Sequence, residues 1–147
     1  MKSSRAFTLI ELVFIIVILG ILAAVAYPRI APLREDAEIA KGKADVATIR
    51  AGIINERQTR IIKGDPTWIS KANLDKDNKL FNGVLTSPLT NSNTSGNWYN
   101  NGTFGDGIYK YKVDTVSAQF DYNNSNGTFT CDRTNGTYGT LCTQLIQ

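Results

Sequence analysis

The sequence predicts an α+β fold: a long N-terminal α-helix, membrane-spanning in its first half, packed under a small antiparallel β-sheet. Three observations lead there. Residues 7–27 are apolar almost without a break, with only Thr8 and Glu11 interrupting. Residues 33–60 contain no proline and are rich in Ala, Glu, Lys, Ile and Arg, all but Ile strong helix formers. From residue 108 to residue 131 the chain alternates with period two between Asn- and Gly-containing turns.

The first stretch, FTLIELVFIIVILGILAAVAYP, sets the terms for the rest. At about 1.5 Å per residue it makes a helix roughly 30 Å long, the thickness of a bilayer core. Glu11 lies near one end, where a carboxylate is costly: about 2.5–3.5 kcal/mol at mid-membrane and less nearer the surface. Residues 1–6, MKSSRA, place Lys2 and Arg5 just before the apolar run. By the positive-inside rule this end stays cytoplasmic and the remainder is exported. A secretory signal peptide cut after Ala26, at Ala24-Val25-Ala26, is the competing reading, and Glu11 in the apolar core speaks against it.

Gly20, Pro28 and Pro32 stand where a helix bends or loosens. Beyond them, Ile39, Val46, Ile49 and Ile53 recur at helical spacing and form a stripe suited to packing under a sheet. A second stripe of Ala37, Ala40, Ala44, Ala47 and Ala51 is rotated by about 140° and reads either as a surface for close approach of another backbone or as plain helix formers on a solvent face. Glu38, Lys41, Asp45 and Glu56 fill the arc between. Gly64-Asp65-Pro66 ends the helix near Ile62.

Residues 63–107 read as a connecting loop region. Trp68-Ile69 and Leu80-Phe81 are expected to anchor it. Asp75-Lys-Asp77-Asn78 lacks the glycine and the closing glutamate of a calcium loop and reads as a solvated turn. Residues 86–107, dense in Asn, Ser, Thr and Gly, read as an exposed loop, with Trp98 and Tyr99 either tucked back or offered to a partner. Strands are expected at 108–113, 116–122 and 127–131, with turn signals at 123–127 and 134–137. The tail at 144–147 carries no signal.

Composition narrows the function classes. The 147 residues hold one globular domain at most. The net charge of +3 falls to about +1 without Lys2 and Arg5, so DNA binding is not indicated. There is no His, there are two Cys, and no spacing nominates an acid–base pair. The reading is therefore not an enzyme, with no cofactor and no metal. Cys131 and Cys142 both lie in the exported part, where oxidising conditions favour a disulfide worth roughly 3 kcal/mol. Asp121-Tyr-Asn123-Asn-Ser125 fits an acidic Asn-x-Ser/Thr signal, which makes Asn123 a glycosylation candidate in a tail where such triplets arise easily by chance.

Phe-Thr-Leu-Ile-Glu at residues 7–11, after a short basic leader and continuing through Gly20 and Pro28, resembles the N-terminus of type IV pilins and type II secretion pseudopilins. The resemblance covers about thirty residues and implies a subunit of a helical filament. It implies cleavage by a prepilin peptidase between Ala6 and Phe7, N-methylation of Phe7, and an inner-membrane assembly platform. The family usually has Gly where Ala6 stands. The implied course is single-pass insertion in the inner membrane, then an extracellular pilus, or a periplasmic pseudopilus as the alternative. Glu11 would pair with the Phe7 ammonium of a neighbouring copy, so that the main partner is the chain itself. The C-terminal disulfide agrees with the pilin pattern. The resulting segments are a cleaved leader (1–6), a membrane and filament-core helix (7–28), its amphipathic continuation (29–62), the connecting region (63–107), and a sheet with a disulfide loop (108–147).

Overall fold

The computed structural model describes residues 7–134 and 136–147, with side chains at all of these except 27–32 and 137. The chain divides into two compact units, Met1–Asp36 and Ala37–Gln147. Helix α1, Leu9–Ile62, contributes to both. In the first unit it presents apolar side chains, and Leu9–Ala26 is long and apolar enough to cross a membrane, with none of it buried. The helical backbone runs over positions 27–32, so Pro28 and Pro32 stand inside α1 and each removes one intrahelical hydrogen bond.

The second unit is a two-layer domain. After residue 36, α1 ends in a Schellman cap: Gly64 takes a positive φ of 86°, Asp65 N–H donates to Arg60 O at 2.9 Å and Gly64 N–H to Ile61 O at 3.0 Å. A short helix α2 (Lys71–Leu74) follows, with Ser70 as its cap. Strands β1 (Trp98–Tyr99), β2 (Ile108–Val113), β3 (Val116–Asn123) and β4 (Thr128–Cys131) form an antiparallel meander in the order β1-β2-β3-β4. Helix α3, Gly136–Ile146, closes the chain.

Alternation along β2 and β3 puts Tyr109, Tyr111, Ala118, Phe120 and Tyr122 on one buried face. Against it lie Val46, Ile49 and Ile53 of α1, with Ile39 partly buried at the rim. The large-residue stripe therefore does what its spacing predicts. Ile69, Leu80 and Phe81 are also buried, so the two expected anchors hold the connecting region down. Trp68 lies at the edge, under the Arg57 guanidinium at 4.1 Å and against Gly127, whose φ of +72° shapes the β3–β4 turn.

Three expectations need correction. Residues 86–107 are not simply an exposed loop: β1 pairs Trp98 with Tyr111 and Tyr99 with Lys110, and Trp98 is buried. Its indole packs against Phe81, Tyr111, Phe120 and Phe129 and donates to the Asp45 carboxylate. Asp75 is not a solvated turn residue. It is buried, and its carboxylate accepts from Phe81 N–H and Gly105 N–H, both at 3.2 Å, tying α2 to two loops. The tail is not a plain disulfide loop, because α3 buries Leu141, Cys142 and Leu145.

Candidate functional site

Helix α1 begins with a reciprocal cap. Thr8 Oγ1 accepts from Glu11 N–H at 3.3 Å, while a Glu11 carboxylate oxygen accepts from Thr8 N–H at 3.3 Å and from the Thr8 hydroxyl at 3.2 Å. This is a capping box, in which a Ser/Thr and a Glu three residues later satisfy each other's open donors. The carboxylate also sits at the positive end of the helix dipole. Glu11 thus has a role inside its own chain, which lowers the cost of holding a charge at the start of an apolar helix. Thr8 was legible as its partner: Thr-x-x-Glu before an apolar run is the sequence form of the box.

Around this cap the surface is apolar. Phe7 is 72% exposed and Leu9 81% exposed, and the apolar side chains remain open as far as Val25. Gly20 has no atom within 4 Å of where a Cβ would stand. Ala6, the residue expected before the cleavage point, lies outside the described residues, as does the side chain of Pro28.

In the second unit the alanine stripe, Ala37, Ala40, Ala44, Ala47 and Ala51, is exposed along its whole length. The charged arc beside it is not idle. Glu38 accepts a hydrogen bond from the Ser95 hydroxyl, the Lys41 ammonium donates to Gly96 O and to Asn97 Oδ1, and Asp45 accepts from Trp98 Nε1 at 3.1 Å. Three charged residues on one helix face thus fasten the 95–98 segment to α1. Burial pushes the Asp45 carboxyl above its ordinary value, while the Trp98 indole and the Lys41 ammonium pull it the other way. Sequence spacing placed these residues on one arc but gave no sign of their partners, which are more than fifty residues away.

Cys131 and Cys142 are joined by a disulfide with Cα atoms 5.9 Å apart, linking the end of β4 to α3. Asn123 is exposed at the end of β3, where its Oδ1 accepts from Ser125 N–H at 2.9 Å. Among the described residues no group of His, Cys, Asp and Glu could hold a metal ion.

Comparison with known proteins bears on the N-terminal segment. Residues 1–27 match the family description "Prokaryotic N-terminal methylation motif". Over this segment the chain carries a prepilin-type N-terminal motif. A curated relative, the type IV narrow pilus major component PilA5 of Thermus thermophilus, is 46% identical over 48 residues. That match covers 33% of this chain and 41% of the relative, so the chain spans well under half the length of the relative it matches. No solved structure matches the chain.

Proposed function

We propose that this chain is the structural subunit of a type IV pilus-like filament, assembled through its N-terminal helix after prepilin peptidase cleavage. The observation that carries the reading is an uncovered apolar helix, Leu9–Ala26, opened by a capped Glu11. Such a helix leaves one role before assembly, as a single-pass anchor in the inner membrane. Its other role is to pack against copies of itself once extracted onto an assembly platform. Cleavage after Ala6 frees an ammonium on Phe7, the residue that is then methylated. In the filament Glu11 exchanges part of its cap for the Phe7 ammonium of a neighbour, which fixes register because either charge left alone is expensive. Gly20 and Pro28 supply points where the helix yields during packing. The exposed Ala37–Ala51 stripe is a second surface for close helix approach.

Two substitutions separate this pairing from simple capping. Glutamine completes a capping box as glutamate does. Glu11→Gln therefore keeps the cap and removes the charge, whereas Glu11→Ala loses both. Both variants are expected to stay in the membrane and to fail in filament yield. Normal filament yield from Glu11→Gln would end the pairing mechanism.

Cellular location separates pilus from secretion pseudopilus. An intact mass of the subunit sheared from the cell surface is expected to lack residues 1–6, to gain about 14 Da for methylation and to lose about 2 Da for the disulfide. A larger excess would mark a glycan, with Asn123 the first site to map. The processed form confined to the envelope would assign the chain to a pseudopilus instead.

A further inference from the structure

The outer face of the sheet, opposite the aromatic core, carries a groove of about 390 Å3. That volume lies within the roughly 300–1,000 Å3 of small-molecule sites. Strand register builds its floor. Tyr99 pairs with Lys110 and Lys110 with Gln119, so these side chains form one row across β1, β2 and β3. Asp132, the residue after β4, extends the row on the far side, and Tyr138 from the first turn of α3 lines the same end. At about 4.8 Å per strand the row is roughly 14 Å long. Ser117, two residues before Gln119 on the same face of β3, completes the floor.

The spare hydrogen-bonding groups set the ligand chemistry. The Tyr99 hydroxyl and Ser117 Oγ are 3.0 Å apart; with Tyr99 donating, the Ser117 proton is left to donate outward. The Gln119 amide nitrogen is engaged with Asp121 at 3.3 Å, so its carbonyl oxygen remains an acceptor. One Asp132 oxygen takes the Thr134 hydroxyl and N–H; these bonds hold the carboxyl below its ordinary value and leave its second oxygen open. The Lys110 ammonium has no hydrogen bond or ion pair among the described residues. The groove therefore offers donors at Lys110 and Ser117 and acceptors at Gln119 and Asp132, and its lining sets one positive charge against one negative. Two tyrosine rings, one of them half exposed, supply negative π-faces for polarised C–H bonds.

We infer that this groove is a binding site for a neutral saccharide. Its hydroxyls would meet Lys110, Ser117, Gln119 and Asp132, and the C–H face of a sugar ring would lie against Tyr138. An anion would face Asp132, and an apolar ligand would find no aliphatic side chain in the lining. The inference concerns the second unit alone and stands whether or not the chain forms filaments.

Saturation-transfer NMR on the full-length chain, held in a zwitterionic detergent, tests it. The probes are maltose, lactose and N,N′-diacetylchitobiose, with sialyllactose and inorganic phosphate as anionic comparisons. At least one neutral disaccharide is expected to bind at millimolar concentration. Tyr138→Ala and Gln119→Ala, both at exposed positions, are expected to weaken it about tenfold each while circular dichroism stays unchanged. Lys43→Ala on α1 is expected to leave binding as it is. The site is overturned if none of the three neutral sugars receives saturation. Binding unchanged in both groove variants, or binding of the anionic probes alone, overturns it equally.

Discussion

The two halves of α1 share one helical backbone and obey different physics. In Leu9–Ala26 large aliphatic side chains occur all round the helix and none is covered. After residue 36 they narrow to one stripe, and that stripe is covered by the chain's own sheet. A helix apolar on every side needs lipid or other helices as its solvent, whereas an amphipathic one finds its partner within a folded domain. The first half is therefore left without cover from the described residues of its own chain. The second is covered by its own sheet. Residue pairs with one member in each unit test that contrast.

The largest difference is expected between Ile49, fully buried, and Ile16, 57% exposed. Truncation at Ile49 leaves a cavity in the core, so Ile49→Ala should lower unfolding stability by about 2–5 kcal/mol. Ile16→Ala should change it by less than about 0.5 kcal/mol in detergent. Urea denaturation followed by tryptophan fluorescence reads both, since Trp68 and Trp98 lie in the second unit. Equal losses would mean that the first half belongs to the same folding unit.

Two carboxylates give the next contrast. Glu11 and Asp75 both accept backbone N–H groups, one on an open helix end and the other in a closed interior. Asp75 uses both oxygens, and an asparagine there turns one acceptor into a donor facing an N–H. Asp75→Asn should cost about 1–3 kcal/mol. Burial pushes the Asp75 carboxyl above its ordinary 3.8, while the Gly105 and Phe81 amides and Tyr109 oppose the shift and Asp106 adds to it. The folded state thus keeps this proton to higher pH than the unfolded chain. Its contribution is full near pH 3.8 and is lost as pH rises through the folded value. The stability advantage of the parent over Asp75→Asn should therefore shrink as pH rises above 3.8, and urea midpoints across that range measure it. An advantage that grows with pH would contradict the burial argument.

The smallest effect, and the sharpest in sign, concerns glycines in one helix. A Cβ on Gly42 would stand 2.5 Å from Leu145 and from the Tyr111 ring. Gly42→Ala gains about 1 kcal/mol of helix propensity and meets an overpacking cost of about 1–3 kcal/mol, for a net loss near 1 kcal/mol. Gly20→Ala meets no atom within 4 Å, so only the propensity gain remains. Slower amide exchange around position 20 and a lower urea midpoint for Gly42→Ala are the expected results. Stabilisation at both sites would show that α3 does not press on α1 as the structure has it.

The sequence by itself determined what short spacing carries. The apolar length of residues 7–27, the helix end at Ile62, the buried stripe of Val46, Ile49 and Ile53, and the alternation of β2 and β3 all depend on periods of two to four residues. Local geometry alone decides which face such residues share. Only the tertiary structure decided the rest, because those features depend on partners far away in the chain. Trp98 reads as a loop aromatic until Asp45, Phe81 and Phe120 surround it. Asp75 reads as a solvated turn until Phe81 and Gly105 turn their amides toward it. Gln144 to Gln147 carry no pattern, yet Leu145 completes the core beside Gly42. The groove at Tyr99, Lys110 and Gln119 exists only through strand register, which joins residues that no spacing in the sequence connects.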